Sequence, residues 1–272
     1  MKWTVVVWMC WWGMSLLAQD GARSTGMAGV SAMETGVWAV RNNPSGLSEL
    51  EFFTAALASG SGFLVPGWHA HQLAAAAPLG IGGGGVVLAQ EGWGDYRSGR
   101  LSLGYGLKLS EGFRLGWHAD YLYRSVKQYF AESGLSFGIG VQAKVGEECW
   151  LAGYVQNPAR LRWRNEEPLP ALMRMALQWS PSEAVSLETE LEYALSEAPR
   201  LRFGVEYAPG ARVHLRLGAG SGPEILSFGF GYRAAPNLEC EVAALWHWQL
   251  GWSPALGLVY AFGKGEEAIS GK

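Results

Sequence analysis

From about residue 50 onward, the chain breaks into segments of roughly ten residues whose polarity alternates with a period of two, and Gly, Pro, Ser and Asn separate one segment from the next. In residues 185–193, Val185, Leu187, Leu191 and Tyr193 share one face while Glu188, Glu190 and Glu192 share the other. The next segment sets Leu201, Phe203, Val205 and Tyr207 against Arg200, Arg202 and Glu206, and the one after it sets Val213, Leu215 and Leu217 against Arg212, His214 and Arg216. A helix would scatter these charges around its axis; a strand sorts them. Tilted segments of this length are what a bilayer crossing in strands requires.

The pattern predicts strands near 52–59, 68–77, 81–89, 99–109, 113–124, 134–145, 149–162, 169–179, 184–194, 199–208, 211–219, 223–233, 238–248 and 254–262. The junctions after even-numbered strands are short and rich in turn residues, as in Pro78-Leu79-Gly80, Pro209-Gly210 and Ala235-Pro236-Asn237. Those after odd-numbered strands include Gln90 to Arg97, Val126 to Phe130 and Arg164 to Pro168, which are longer, aromatic or charged. Outer-membrane barrels have short periplasmic turns and longer outer loops. The fold class expected is therefore an all-β transmembrane antiparallel barrel of about fourteen strands, both ends in the periplasm. A soluble sandwich would alternate too, but it has edges to manage and no reason for loop length to alternate by side.

Composition agrees. Only 17% of residues are charged, against roughly 25% in a typical soluble domain. The 21 Lys and Arg nearly balance the 24 Asp and Glu with no cationic run, which gives no support to a nucleic-acid partner. After the first segment, no stretch of 18 or more apolar residues is free of charge, so a helical membrane bundle is excluded.

Residues 1–18, with Lys2, an apolar run and Ser15-Leu16-Leu17-Ala18, read as a cleaved signal peptide. Residues 19–50 form a separate segment without strand alternation, 51–263 the barrel, and 264–272 a periplasmic tail. Cys10 lacks the small residues that precede a lipidated cysteine. Cys149 and Cys240 fall in distant strand segments and are expected as isolated thiols.

On a barrel, the apolar and aromatic stripe faces lipid, as with Leu101, Leu103 and Tyr105, and Trp179, Tyr232, Trp246 and Trp248 suit the interfacial girdle. The opposite face carries a charge ladder of Glu188, Glu190 and Glu192 beside Arg200 and Arg202, themselves beside Arg212 and Arg216; Glu239 and Glu241 are placed to face Arg233. Many other inward positions are small, among them Gly104, Gly106, Gly138, Gly140, Gly229 and Gly231. A barrel of this strand number is wider than its own side chains fill, so something else must occupy or wet it. The N-terminal segment is the nearest candidate.

That segment contains Gly21-Ala22-Arg23, Gly26-Met27-Ala28-Gly29 and the strong turn signal Asn43-Pro44-Ser45-Gly46-Leu47. The pattern resembles the start of FadL-like barrels, including the PorV and PorQ group tied to type IX secretion, where a Gly-Ala-Arg…Gly-Met-Gly-Gly-Ala stretch precedes Asn-Pro-Ala-Gly-Leu. Ala28 and Ser45 depart from it, both small. The resemblance implies that Gly21, Arg23, Gly26, Gly29, Asn43, Pro44 and Gly46 belong to a hatch inside the barrel, and that hydrophobic ligands leave through a lateral opening.

Two functions stay open on this reading. One is a channel for small hydrophobic solutes; the other is an accessory scaffold of protein secretion, with secretion-system components as partners and outer-membrane lipids around either. Catalysis is not expected. No cofactor is implied, and His69 and His71 share a strand face without a third metal ligand.

Overall fold

The computed structural model describes residues 21–164, 167–195 and 197–263. The expected signal peptide and C-terminal tail lie outside these residues. Fourteen antiparallel strands close into one barrel in which each strand pairs with its sequence neighbours and the first pairs with the last. They are β1 (Thr54–Ser61), β2 (His69–Leu79), β3 (Gly82–Trp93), β4 (Tyr96–Ser110), β5 (Phe113–Val126), β6 (Phe130–Lys144), β7 (Cys149–Gln156), β8 (Leu172–Ser182), β9 (Val185–Ala194), β10 (Arg200–Gly210), β11 (Val213–Gly220), β12 (Ile225–Ala235), β13 (Leu238–His247) and β14 (Gly251–Ala261). Full closure leaves no unpaired edge, so every strand can stand in hydrocarbon with its backbone satisfied.

Parity holds along the whole wall. On β12, Leu226, Phe228, Phe230 and Tyr232 are exposed on the outer face, whereas Ile225 and Ser227 are buried on the inner one. On β9, Glu188, Glu190 and Glu192 are at most 2% exposed while Leu191 and Tyr193 face out.

Two connections differ from expectation. Residues 90–97 do not form a long loop: β3 and β4 stay paired through Gln90↔Gly99, Gly92↔Arg97 and Trp93↔Tyr96, leaving a tight turn at Gly94-Asp95. The connection after β5 likewise shrinks to Lys127-Gln128-Tyr129. The ladder hydrogen bonds continue through polar residues past the apolar stripe. In contrast, β7 ends at Gln156, well before residue 162, because Asn157 adopts a positive φ of 52° and Pro158 follows without a donor. The chain then runs to Leu172 before the next strand begins. The barrel thus has one end of tight turns, nearest residues 54 and 261, and one of more varied loops.

Residues 21–50 lie within the lumen. Helix α1 (Gly21–Gly26) packs on β11 to β14, helix α2 (Ala39–Asn42) on β3 and β4, and the 3-10 helix Pro44–Glu49 on β3 to β6 near the tight turns. Met27, Ala28, Val30, Ala39, Val40 and Leu47 are fully buried there. Cys149 and Cys240 are free thiols, as expected.

Candidate functional site in the lumen

The segment sits where the wall has no side chains. A Cβ built on Gly106 would lie 2.3 Å from the Pro44 carbonyl oxygen, on Gly116 2.3 Å from Ser45 N, and on Gly140 1.9 Å from Asn43 Oδ1. Across the barrel, Cβ atoms at Gly204 and Gly218 would strike Met27 Cε at 2.6 Å and Ala28 N at 2.4 Å. Gly26 and Gly229 meet backbone to backbone; a Cβ on Gly26 would be 2.9 Å from Gly229 Cα. The small inward residues at these positions are seats for the segment.

The turn motif supplies the anchor. Asn43 Oδ1 accepts from Ser45 N and from Ser45 Oγ at 2.8 Å, capping the 3-10 helix that Pro44 opens. Its Nδ2 donates to Ala32 O at 2.7 Å and to Val141 O of β6 at 3.2 Å. Gly46 is required because a Cβ there would lie 2.0 Å from Glu34 O. Gly29 has a φ of 82° and its carbonyl accepts from Arg202 Nη1 at 3.2 Å.

Ion pairs join this segment to the ladder, and Arg23 makes the central link. Its guanidinium reaches Glu188 at 2.9 Å, Glu206 at 3.1 Å and Glu34 at 3.2 Å. Glu190 Oε2 accepts from Ser31 N and Ala32 N at 2.9 and 2.7 Å. Arg174 donates to Glu192 at 2.9 Å and to Ser31 Oγ at 2.9 Å, and Arg202 donates to Glu192 at 3.0 Å. Arg200 lies 3.5 Å from Glu192. Burial pushes the Glu34 carboxyl up to about 7 against the opposing pull of Arg23.

Of the ladder residues read from the sequence, Glu188, Glu190, Glu192, Arg200, Arg202 and Arg216 line the lumen. Arg212 does not: β11 begins at Val213, and Arg212 is exposed in the preceding turn. Glu239 stands opposite Arg233 in register and pairs with it at 4.0 Å, as expected, whereas Glu241 pairs with Arg216 at 2.7 Å instead. The sequence placed Glu206 on the charged face with Arg200 and Arg202 without assigning it to the ladder, and gave Glu34 and Arg174 no part in this network. Arg174 was legible as an inward residue opposite Glu192, but the reach of Arg23 to strands more than 160 residues away had no local signal.

Towards the loop end, buried His118 bridges Asp120 Oδ1 at 3.1 Å and the Tyr154 hydroxyl at 2.9 Å, while Ser102 Oγ donates to the same Asp120 oxygen at 2.6 Å. The Ser102 hydroxyl is thus spent on the carboxylate and not on the imidazole. This ties β4, β5 and β7 together and makes no nucleophile–base pair. His69 and His71 are exposed on the outer wall, and among the described residues no group of three or more His, Cys, Asp or Glu side chains is placed to hold a metal. Two loops cover the loop end. Phe63 N donates to Ser253 Oγ at 3.0 Å, and Leu169 of the 157–171 connection is 3% exposed. Arg124 in that region is bonded to Glu132 and Glu167 and lies 4.4 Å over the Trp163 ring.

No protein-family model and no curated protein matches the sequence. Solved structures do. The P. putida toluene transporter TodX superposes with a TM-score of 0.71 at 11% identity, over 89% of this chain and 98% of that one. The Ralstonia pickettii toluene transporter TbuX gives 0.66 at 13% identity, over 89% and 97%. A Pseudomonas aeruginosa FadL homologue gives 0.65 at 11% identity, over 89% and 98%.

The fold is that of the FadL-like barrels.

At these identities the likeness is one of architecture, and it extends over nearly the full length of each FadL-like chain compared.

Proposed function

We propose that this chain is an outer-membrane channel for small hydrophobic solutes, with residues 21–50 as its hatch and the tight turns on the periplasmic side. The observation that carries the reading is the occupied lumen: a FadL-like barrel whose wall is stripped to glycine where the N-terminal segment seats, and whose ion pairs hold that segment across the bore. With the segment docked and the loops over the far end, the molecule is in a closed state.

Whole-cell uptake tests it, because the outer leaflet is the barrier that slows such solutes. In a Gram-negative host lacking its own hydrophobic-solute channel, expression should raise initial uptake of labelled toluene or a long-chain fatty acid several-fold. Uptake equal to the vector control for both would overturn the reading. Placement in the PorV and PorQ group, with a scaffold role in type IX secretion, rests on the N-terminal motif alone.

A further inference from the structure

Of all the charged residues in the fourteen strands, Arg97 alone has outward parity. It stands in the row Gly92↔Arg97↔Ser125, in step with Gly99, Leu101 and Leu103, while every other strand Asp, Glu, Lys or Arg shares the lumen parity. Its guanidinium is braced by the carbonyls of Gly94 and Tyr96, both at 2.8 Å, with no carboxylate in salt-bridge range among the described residues. A lone fixed cation on a lipid-facing wall asks for an anion.

Two adjoining grooves meet at this residue. The lower, of about 590 Å³, opens over Gly99 between Leu88, Leu101, Tyr121 and Tyr123. The upper, of about 610 Å³, runs past Lys127, Ser125 and Tyr129 to the tip of the β5–β6 hairpin, with Asp95 as the carboxylate on its β3–β4 side and Arg97 and Lys127 as its two cations. Arg97 and Tyr123 line both. The upper groove lies between the paired ends of β3–β4 and β5–β6, and its polar and aromatic wall suits sugar rings rather than acyl chains.

We propose that this face binds one phosphorylated glycolipid of the outer leaflet, an acyl chain lying over Gly99, a phosphate on Arg97 and Lys127, and the sugars against Tyr123 and Tyr129. A diacyl phospholipid would fill only the lower groove. The proposal takes its orientation from the function proposed above but is independent of transport.

Native mass spectrometry of the detergent-solubilised barrel, titrated with purified diphosphorylated lipid A, tests it. One tightly retained lipid A is expected, with apparent affinity falling tenfold or more in R97Q/K127Q and in G99L. Gly99 tolerates a side chain, since an added Cβ would meet only Ala89 O at 3.6 Å, so G99L should keep the heat-modifiable mobility of a folded barrel. Equal binding by wild type and both variants, or equal retention of phosphatidylglycerol or dephosphorylated lipid A, would sink the proposal. Solute uptake by R97Q/K127Q, expected unchanged, separates this outcome from failure of the channel reading.

Discussion

At Gly106 an added methyl group would meet the carbonyl oxygen of Pro44, a backbone atom held by the proline ring and by the Asn43 cap, so it has nowhere to swing. Overpacking of this kind costs about 1–3 kcal/mol. Gly106→Ala should therefore unseat residues 43–47 while the barrel still assembles, seen as new protease cuts within residues 21–50 at unchanged heat-modifiable mobility. Gly210→Ala, where nothing lies within 4 Å of the added atom, should leave the cutting pattern unaltered. Glu34 gives the seat a pH dependence. Its carboxyl titrates near 7 when docked against an ordinary 4.5, so between those values the docked state holds more proton than the undocked one. The Glu34 contribution to docking is then fully present below about 4.5 and is lost as pH rises through 7. Hydrogen exchange in residues 21–36 should speed up from pH 5 to pH 8 beyond its intrinsic rate, and Glu34→Gln should flatten that trend.

Along the strands, the sequence was legible wherever one face of the wall is apolar and the other polar, because parity then leaves a period-two record such as Glu188, Glu190 and Glu192. It was less legible where the strands run on past the apolar stripe. Residues 90–97 continue as β3 and β4 because ladder hydrogen bonds do not need an apolar face, and nothing in their polarity distinguishes an emergent hairpin from a loop. The converse holds at residues 157–162, where Leu161 and Trp163 imitate a strand but the positive φ at Asn157 has already turned the chain. Asn157 keeps that connection folded inward: Leu161 N donates to its Oδ1 at 2.7 Å, and its Nδ2 donates to Leu169 O at 3.1 Å. Asn157→Ala should release it, with tryptic cleavage at Arg160 and Arg164 accelerating several-fold in an intact barrel. Unchanged cleavage would mean that Arg124 and Leu169 hold the loop unaided.

For the whole molecule the question is whether the segment must move. The Cβ of Ala22 lies 3.0 Å from a Cβ built on Gly257, a small shift short of disulfide geometry at about 3.5–4.5 Å. With Cys149 and Cys240 replaced by serine, the pair Ala22→Cys and Gly257→Cys should lock α1 to β14 on oxidation, abolish solute uptake and restore it on reduction. Uptake unaffected by the lock would place the route beside a static segment. Either way, wall and segment are two halves of one mould. A barrel that regained side chains at 106, 116, 140, 204 and 218 could not keep this N-terminus, and one that lost the N-terminus would stand with an unfilled bore at those heights. The spacing of inward glycines is in effect a cast of what the lumen holds, readable in a relative's sequence before its structure is known.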